Sequence, residues 1–515
     1  MQTQASPRPQ PAPPPLGPGR KPKLKPIDRS QGLLVPVVIE NLVPPDHKVR
    51  AIWELTGRLD LSRFLDRIVT TEGEVGRMAW NPRLLVSIWI CAYSEQISSA
   101  RQIQRMMDYE PGLLWLAALG VVNHHTLSDF RVHYQAELDG LFVELLAVLE
   151  EAGFITLETV MHDGTKVRAQ AGVDTFRREK TLAERLQQAR QFLAGMGDPR
   201  EPAPEANARR EAARKRAARE GVERLEQALE ELEQVRAAKK TEEEKREARV
   251  SLTEPEARIM QHGDHALAPS YNVQISTDAE KKAIVGVHLT QCSSDSGALM
   301  PAVAVIEEKL GRCPQQMVAD GGYTNQANIE ATAVRNIDLI GSLGDQEKRR
   351  AAALKAAGID PAFGAHLFIL QENGSLRCAG DKALRYVRQS RKRERVYHQY
   401  QAQGSDCQLC RFQPHCCPKS PEKGRTASVL VSEPESVAAF RLKMEGAEAK
   451  QIYKRRGEVA EFPNLWIKSK LGLRKFRLRG IVKAGIEALW ACLTYNAMQL
   501  IRLEKAREVG LPAAA

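Results

Sequence analysis

The sequence predicts a mixed α/β fold carrying two insertions, and three observations predict it. Over residues 152–342 the order strand, hairpin, helix, strand, helix, strand can be read once one charged block is set aside. Two of those β-prone runs, Ile155–Met161 and Gln316–Ala319, each lead into an aspartate, Asp163 and Asp320. Two stretches, 175–253 and 343–430, break the rhythm with compositions of their own. A chain of 515 residues can bury a large core and holds two or three domains.

Residues 1–35 read as a disordered, proline-rich basic tail, since Pro22 and Pro26 interleave with Lys21, Lys23 and Lys25 and no core can form there. Residues 45–151 form a helical N-terminal domain. Trp53, Leu55, Leu59, Leu61, Phe64 and Ile68 fall at helical spacing, and Asn81-Pro82 starts an apolar helix through Leu84, Ile88 and Ala92. Ser98-Ser99 opens a shorter helix, and Thr126 or Ser128 caps another. Such a domain either lays a helix in a DNA groove or serves as packing.

The core spans 152–174 and 254–342, and a charged helical insert, 175–253, divides it. In the insert Val222, Leu225, Leu229, Leu232 and Val235 step by threes and fours, a short seam in a helical hairpin broken at Gly197-Asp198-Pro199 and Pro202–Pro204. Tyr271–Ser276 and Ala283–Leu289 make a strand hairpin hinged at Asp278–Lys282, and Ala298–Leu310 is an amphipathic helix. Gln316–Ala319 leads to Asp320, Gly321, Gly322 and Tyr323, with Thr324 at a helix N-cap, and Ile337–Gly341 is β-prone. A Cys-rich basic insert, 343–430, precedes C-terminal helices at 440–506.

Lys and Arg number 75 against 64 Asp and Glu, a formal charge of +11. That balance favours a polyanionic partner, most simply nucleic acid. The apolar runs Leu84–Tyr93 and Ile481–Ile501 do not read as membrane spans, because the first is short and the second carries Lys483 and Glu487. The opening 26 residues lack the apolar core of an export signal. Nine cysteines are then expected in a reducing, cytoplasmic setting, where metal ligation outweighs disulfides.

Metal-assisted phosphodiester chemistry needs hard oxygen ligands. Asp163 and Asp320, each ending a strand, would lie side by side on parallel neighbours. Glu461 is the third candidate acid. In a helix it shares a face with Lys468, so an acid and a lysine could bind metal and phosphate together, while Tyr453 and Arg456 flank the same DNA strand. Pro463 fits such a helix only near its start. His162 reads as a packing or supporting histidine, and Asp295 follows a strand with no role that the sequence fixes.

The motifs H-D-G-T-K-V-R-A around Asp163, Y-N-V-Q at Tyr271–Gln274 and A-D-G-G-Y around Asp320 together resemble a bacterial insertion-sequence DDE transposase. The box Tyr453, Arg456, Glu461 and Lys468 is similar to that family's Tyr-Arg-Glu-Lys signature, with four residues rather than three between Arg456 and the glutamate, which leaves Glu458 as an alternative. Similarity runs over about residues 45–505 and includes N-P-R-L-L and T-L-S-D-F-R in the helical domain. The resemblance implies an RNase H-like mixed sheet core. It implies a triad Asp163, Asp320 and Glu461 holding Mg2+ or Mn2+, and DNA contacts from Tyr453, Arg456 and Lys468. It further implies cleavage and strand transfer of double-stranded DNA at terminal inverted repeats and a target, by a homodimer at the bacterial nucleoid. The rivals are an RNase H-like nuclease without strand transfer and an inactive DNA-binding relative.

Cys407-x2-Cys410 with Cys378 and Cys416 offers four thiolates for a structural Zn2+, Cys417 being the alternative fourth. Between them Arg385, Tyr386, Arg388, Arg391, Lys392, Arg393, Arg395 and Tyr397 mix basic and aromatic residues, a pattern suited to a DNA backbone or to an exposed basic hairpin. Cys91, Cys292, Cys313 and Cys492 lie among apolar neighbours and read as core.

Overall fold

A six-stranded mixed sheet forms the centre of the chain. The computed structural model describes residues 36–68, 78–196, 205–342, 344–392, 395–430 and 434–510; the basic tail 1–35, the breaks at 197–199 and 202–204, and Arg393 lie outside them. Strand β1 (Thr159–Arg168) pairs antiparallel with β2 (Leu267–Asp278). The far edge of β2 carries β3 (Ile284–Thr290) and, further along, the short strand Arg258–Gln261. On its other side β1 pairs in parallel with β4 (Gln316–Ala319), and β4 in parallel with β5 (Asp338–Gly341). An antiparallel meander continued by parallel strands that helices connect is an RNase H-like core.

The alternation in β2 explains much of the interior. Tyr271, Val273 and Ile275 join the main apolar core, while Asn272, Gln274 and Ser276, equally buried, occupy the opposite face. Buried polar side chains on a strand need partners, and these three meet His162 and Asp295.

The helical N-terminal region includes α1 (Lys48–Arg58), α2 (Pro82–Ser94), α3 (His124–His133) and α4 (Gln135–Glu151). Pro82 sits in the first turn of α2, and Asn81 Oδ1 accepts the Arg83 N–H at 2.9 Å. The cap of α3 is neither Thr126 nor Ser128. Asn123, just upstream, already accepts the His125 N–H at 2.7 Å, so the helix starts earlier.

The insert folds as a hairpin of α5 (Glu179–Gly195) and α6 (Glu205–Ala237), closed by Leu182, Ala228 and Leu232 with Leu225, Leu229 and Val235 beside them. Glu231 of α6 binds Arg258 and Gln291, tying the hairpin to the sheet edge. Helix α7 (Leu299–Leu310) follows β3, and α8 (Gln326–Val334) follows β4. Asn325 rather than Thr324 caps α8, accepting the Asn328 N–H, because the Thr324 hydroxyl is drawn to the Ser342 carbonyl.

The Cys-bearing segment builds a second sheet containing β6 (Ala383–Lys392), β7 (Arg395–Ala402) and β8 (Thr426–Leu430), with a small core of Leu376, Leu384, Tyr400 and Ala427. Helix α9 (Ala447–Ser469) then crosses the central sheet, and α10 (Ile481–Glu508) closes the main core. Pro463 lies inside α9, not near its start. Val459, Ala460, Pro463, Asn464 and Ile467 are all buried, and that packing outweighs the roughly 3 kcal/mol an interior proline costs. Cys91 and Cys492 are buried as expected. Cys313 is half-buried and Cys292 exposed, because the chain has already left the sheet for a loop at that point.

Helix α10 is the apolar run Ile481–Ile501, and no helix among the described residues is long and apolar enough to cross a membrane. Glu487 within it is buried beside Arg131 at 3.5 Å and accepts the Arg477 N–H at 2.7 Å, so its charge is satisfied by protein rather than water. Trp490 stacks on Tyr93 at 6.3 Å and lies 6.2 Å from Trp89, which joins the N-terminal helices to the end of the chain. Trp490→Ala is expected to destabilise the protein by about 3–5 kcal/mol, read from denaturant unfolding.

Candidate active site

The β1–β4 ladder ends at the pair His162–Ala319. One residue further, β4 has stopped and β1 continues, held by β2 from Asp163–Ile275 to Arg168–Ser270 and bridged at its end by Lys475. Asp163 therefore lies within its strand rather than at its tip, because β2 still takes up the hydrogen bonding of the residues beyond it. Asp320 is the first residue after β4. The two aspartates emerge at the same notch in the sheet from segments 157 positions apart.

Asp163 is mostly shielded. Its Oδ1 accepts the Gly164 N–H at 3.0 Å and its Oδ2 accepts Asn464 Nδ2–H at 3.1 Å. Burial pushes the carboxyl up to about 6; Arg456 draws it back and the neighbouring Asp320 charge adds to the rise. Asp320 Oδ1 accepts the Gly322 N–H at 2.7 Å. A Cβ on Gly322 would lie 2.9 Å from that oxygen, so a side chain there would push the carboxylate out of this turn.

Beneath the pair lies a closed polar layer. Tyr323 is fully buried and donates its OH to Gln274 Oε1 at 2.6 Å. The same oxygen is 2.9 Å from His162 Nε2, and His162 Nδ1 is 2.9 Å from Ser276 Oγ. An amide oxygen only accepts, so Nε2 carries the proton and Nδ1 accepts from Ser276. Burial holds His162 down at about 3, hence neutral. With both nitrogens committed, His162 is a support for the strands and not a base.

Helix α9 covers the notch and carries the remaining expected residues. Arg456 Nη1 is 3.8 Å from Asp163 Oδ1 and its Nη2 3.9 Å from Glu461 Oε1. The guanidinium stands between the two acids as a cation shared by them. Glu461 itself is exposed, with 64 % of its side chain accessible. Glu458, the alternative acid, has its Oε1 accepting from Lys282 Nζ at 3.4 Å. Lys468, two turns beyond Glu461, is half-buried; desolvation lowers its pKa and the Asp163 charge opposes that. Tyr453 lies half-buried beside the cluster of Met161, Val318 and Ile340, with Arg456 5.9 Å from its ring.

Among the described residues, no three His, Cys, Asp or Glu side chains stand ready to hold a metal ion. Asp163 and Asp320 adjoin, whereas Glu461 reaches them only through Arg456. One acid outside the expected set lies close to the Gly322 turn: Asp295, whose Oδ1 accepts Asn272 Nδ2–H at 2.7 Å and Gln274 Nε2–H at 2.9 Å. The polar alternation of Y-N-V-Q was the sequence signal that could have led to it.

In the second sheet, Cys378, Cys407, Cys410, Cys416 and Cys417 all line one small pocket with Phe363, Phe412 and Arg425. The Arg425 N–H donates to Cys407 Sγ at 3.3 Å, and the Cys417 thiol points to the Ser420 carbonyl at 3.7 Å. Burial pushes Cys416 up to about 11, and its thiol neighbours add to the rise.

Residues 377–501 match the family model described as a transposase DDE domain, and residues 37–133 match a transposase domain (DUF772). The first match takes in the cysteines, Tyr453, Arg456, Glu461 and Lys468; the second takes in α1 to α3; Asp163 and Asp320 lie outside both. No curated protein matches the chain. Fold and matches together support an enzyme that acts on DNA. More particularly, the two matches support an insertion-sequence DDE transposase.

The raised Asp163 pKa has a testable consequence. Above about pH 6 the folded protein holds a desolvated charge that the unfolded chain hydrates freely, so this group opposes folding there; the penalty fades as pH falls toward the ordinary carboxylate range. Asp163→Asn should stabilise the metal-free protein by up to about 3 kcal/mol at neutral pH and by little near pH 4, compared by denaturant unfolding at the two values.

Proposed function

We propose that the chain cuts and rejoins insertion-sequence DNA, using Asp163, Asp320 and Glu461 around Mg2+ or Mn2+. One observation carries this reading: the β1–β4 ladder stops one residue short of both aspartates, so two hard-oxygen groups share a notch that α9 covers. A divalent ion bound there would supply Lewis acidity and an activated water for in-line displacement at phosphorus. Asp163 and Asp320 are the hard-oxygen groups that would hold such an ion, and Asn464, whose amide N–H is bonded to Asp163, leaves a buried Oδ1 without a partner.

The residues of the chain then divide the work. Asp163 and Asp320 offer oxygens from backbone positions held by strand pairing. Glu461 completes the set when DNA and metal draw Arg456 off the two acids. Arg456 and Lys468, freed of the carboxylates, face phosphate oxygens, and Tyr453 orients Arg456. The helical N-terminal domain binds the terminal inverted repeats, and exposed Arg385, Arg388 and Arg391 on β6 track the backbone. Two chains act together on paired ends at the nucleoid.

Asp320→Ala should lower Mg2+-dependent nicking of terminal-repeat DNA by more than about a hundredfold, since even outer groups of metal sites cost 10–100-fold. End binding by gel shift should persist. Nicking at the wild-type rate would end the proposal, and nicking by the wild type without 3′-end joining would make the chain a nuclease only.

We also propose that Cys378, Cys407, Cys410 and Cys416 hold a structural zinc ion, Cys417 standing by as the alternative fourth. A cation would favour the thiolate forms that burial disfavours at Cys407 and Cys416. The purified chain should contain about one zinc by elemental analysis, and Cys407→Ser should lose it; a zinc-free, fully folded wild type would refute the site.

A further inference from the structure

Residues 468–483 carry seven Lys and Arg, and no Asp or Glu lies between Glu461 and Glu487. This run leaves α9, meets the end of β1 and enters α10. Its backbone is pinned along its length. The Arg168 N–H donates to the Arg474 carbonyl at 3.2 Å, and the Phe476 N–H donates to the Arg168 carbonyl at 2.8 Å. Phe476 is fully buried and meets Tyr271 edge-on, with Leu471 and Leu473 buried just before it. Glu487 accepts the Arg477 and Leu478 N–H groups.

Most of the cations take no part in this anchoring. Lys470, Lys475 and Arg479 are exposed, and among the described residues their side chains have no hydrogen bond or ion pair. Stability gives no reason for them. Arg479 stands just before α10, whose first turn has no acid, and a cation there opposes the helix dipole. The surroundings are positive as well. Burial lowers the His262 pKa, and Arg168, Lys468 and Lys166 lower it further, with Asp264 opposing. Like charges fixed on an ordered backbone repel unless a polyanion lies across them.

The place of the run says which polyanion. The edge of β1 that faces β4 is paired as far as His162 and meets Lys475 again at Arg168, with Asp163 and the notch between. On the other side, Arg477 Nε–H donates to Ser98 Oγ at 2.7 Å, at the start of the short helix Ala100–Met106, which carries exposed Arg101 and Arg105. A positive strip therefore runs from the notch to the helical N-terminal region. Duplex DNA is a polyanion long enough to touch both, and a free phosphate is not.

We propose that residues 470–479 form a phosphate-binding strap, which holds the backbone of duplex DNA between the notch and the helical N-terminal region through Lys470, Lys475 and Arg479. The proposal rests on the DNA reading above and adds a contact surface to it. In the full chain, Lys475→Ala combined with Arg479→Ala should keep the wild-type melting temperature and bind duplex DNA less tightly. The slope of log affinity against log salt should shrink by about two, since each phosphate contact contributes about 0.9, and equally so on terminal-repeat and unrelated duplexes. Lys239→Ala combined with Lys240→Ala removes the same charge from an exposed pair in the insert and should keep the wild-type slope. A wild-type slope in the strap variant, or an equal loss in the control, would overturn this inference and leave DNA binding itself standing. No duplex binding by the wild-type chain would overturn both. Binding to anionic-lipid vesicles that the strap variant loses, with duplex binding intact, would assign the strap to a membrane surface and overturn it too. One measurement needs no variant: bound duplex should shield Lys470 and Lys475, but not Lys239, from acetylation in the wild-type chain. Equal acetylation of Lys470 and Lys475 with and without duplex would refute the strap.

Discussion

Four rungs of parallel pairing between β1 and β4 are the constraint on which the rest of the site depends. They join segments far apart in the chain, and they end where the acids begin. Hydrogen bonding sets strand register to the residue, and a slip by one would turn Asp163 to the other face of the sheet. The long antiparallel partner β2 secures that register, since it holds β1 on both sides of Asp163. The position of the carboxylate thus follows from backbone geometry and does not depend on the carboxylate's own contacts.

Placing acids in this way is costly, and the surroundings offset the cost locally. Asp163 is shielded enough that its proton is held far more tightly than in water, and Arg456 supplies the nearest positive charge. Beneath, every hydrogen-bonding atom of the His162–Gln274–Tyr323 layer has a partner, so a rigid neutral floor lies under a charged notch. Asn272 Oδ1 and Asn464 Oδ1, on amides whose N–H groups bind Asp295 and Asp163, are without a partner. Stability and chemistry pull apart here, as expected where a protein keeps charge out of water for use.

The two insertions attach differently. The charged hairpin of α5 and α6 has its own seam and reaches the sheet through Glu231 with Arg258 and Gln291. The cysteine-bearing sheet carries a small core whose borders include three of its cysteines. A core of that size gains from a cross-linking ion more than a large one does. The helical N-terminal region differs again. Its aromatic contact with Trp490 and the buried Arg131–Glu487 pair make it continuous with the main core.

Local signals carried far in this chain. Asn81-Pro82, the Y-N-V-Q alternation, the run Gln316–Ala319 and the amphipathic α7 each specify their element through side-chain period or capping, properties of neighbours in sequence. The same signals misled where a competitor lay close by: Asn123 displaced Thr126 and Ser128 as a cap, and Asn325 displaced Thr324 once Ser342 captured its hydroxyl. Pro463 misled because burial against the sheet, invisible in sequence, overrode its helix-breaking cost. The candidate acids were legible as residue types at strand ends and on a helix face. Sequence by itself thus determined the elements and their α/β order. Tertiary structure alone decided that Asp163 lies inside its strand, that Glu461 meets the pair through Arg456, and that Asp295 stands close to the Gly322 turn. Those facts come from contacts between separate elements of the chain, which local periodicity does not encode.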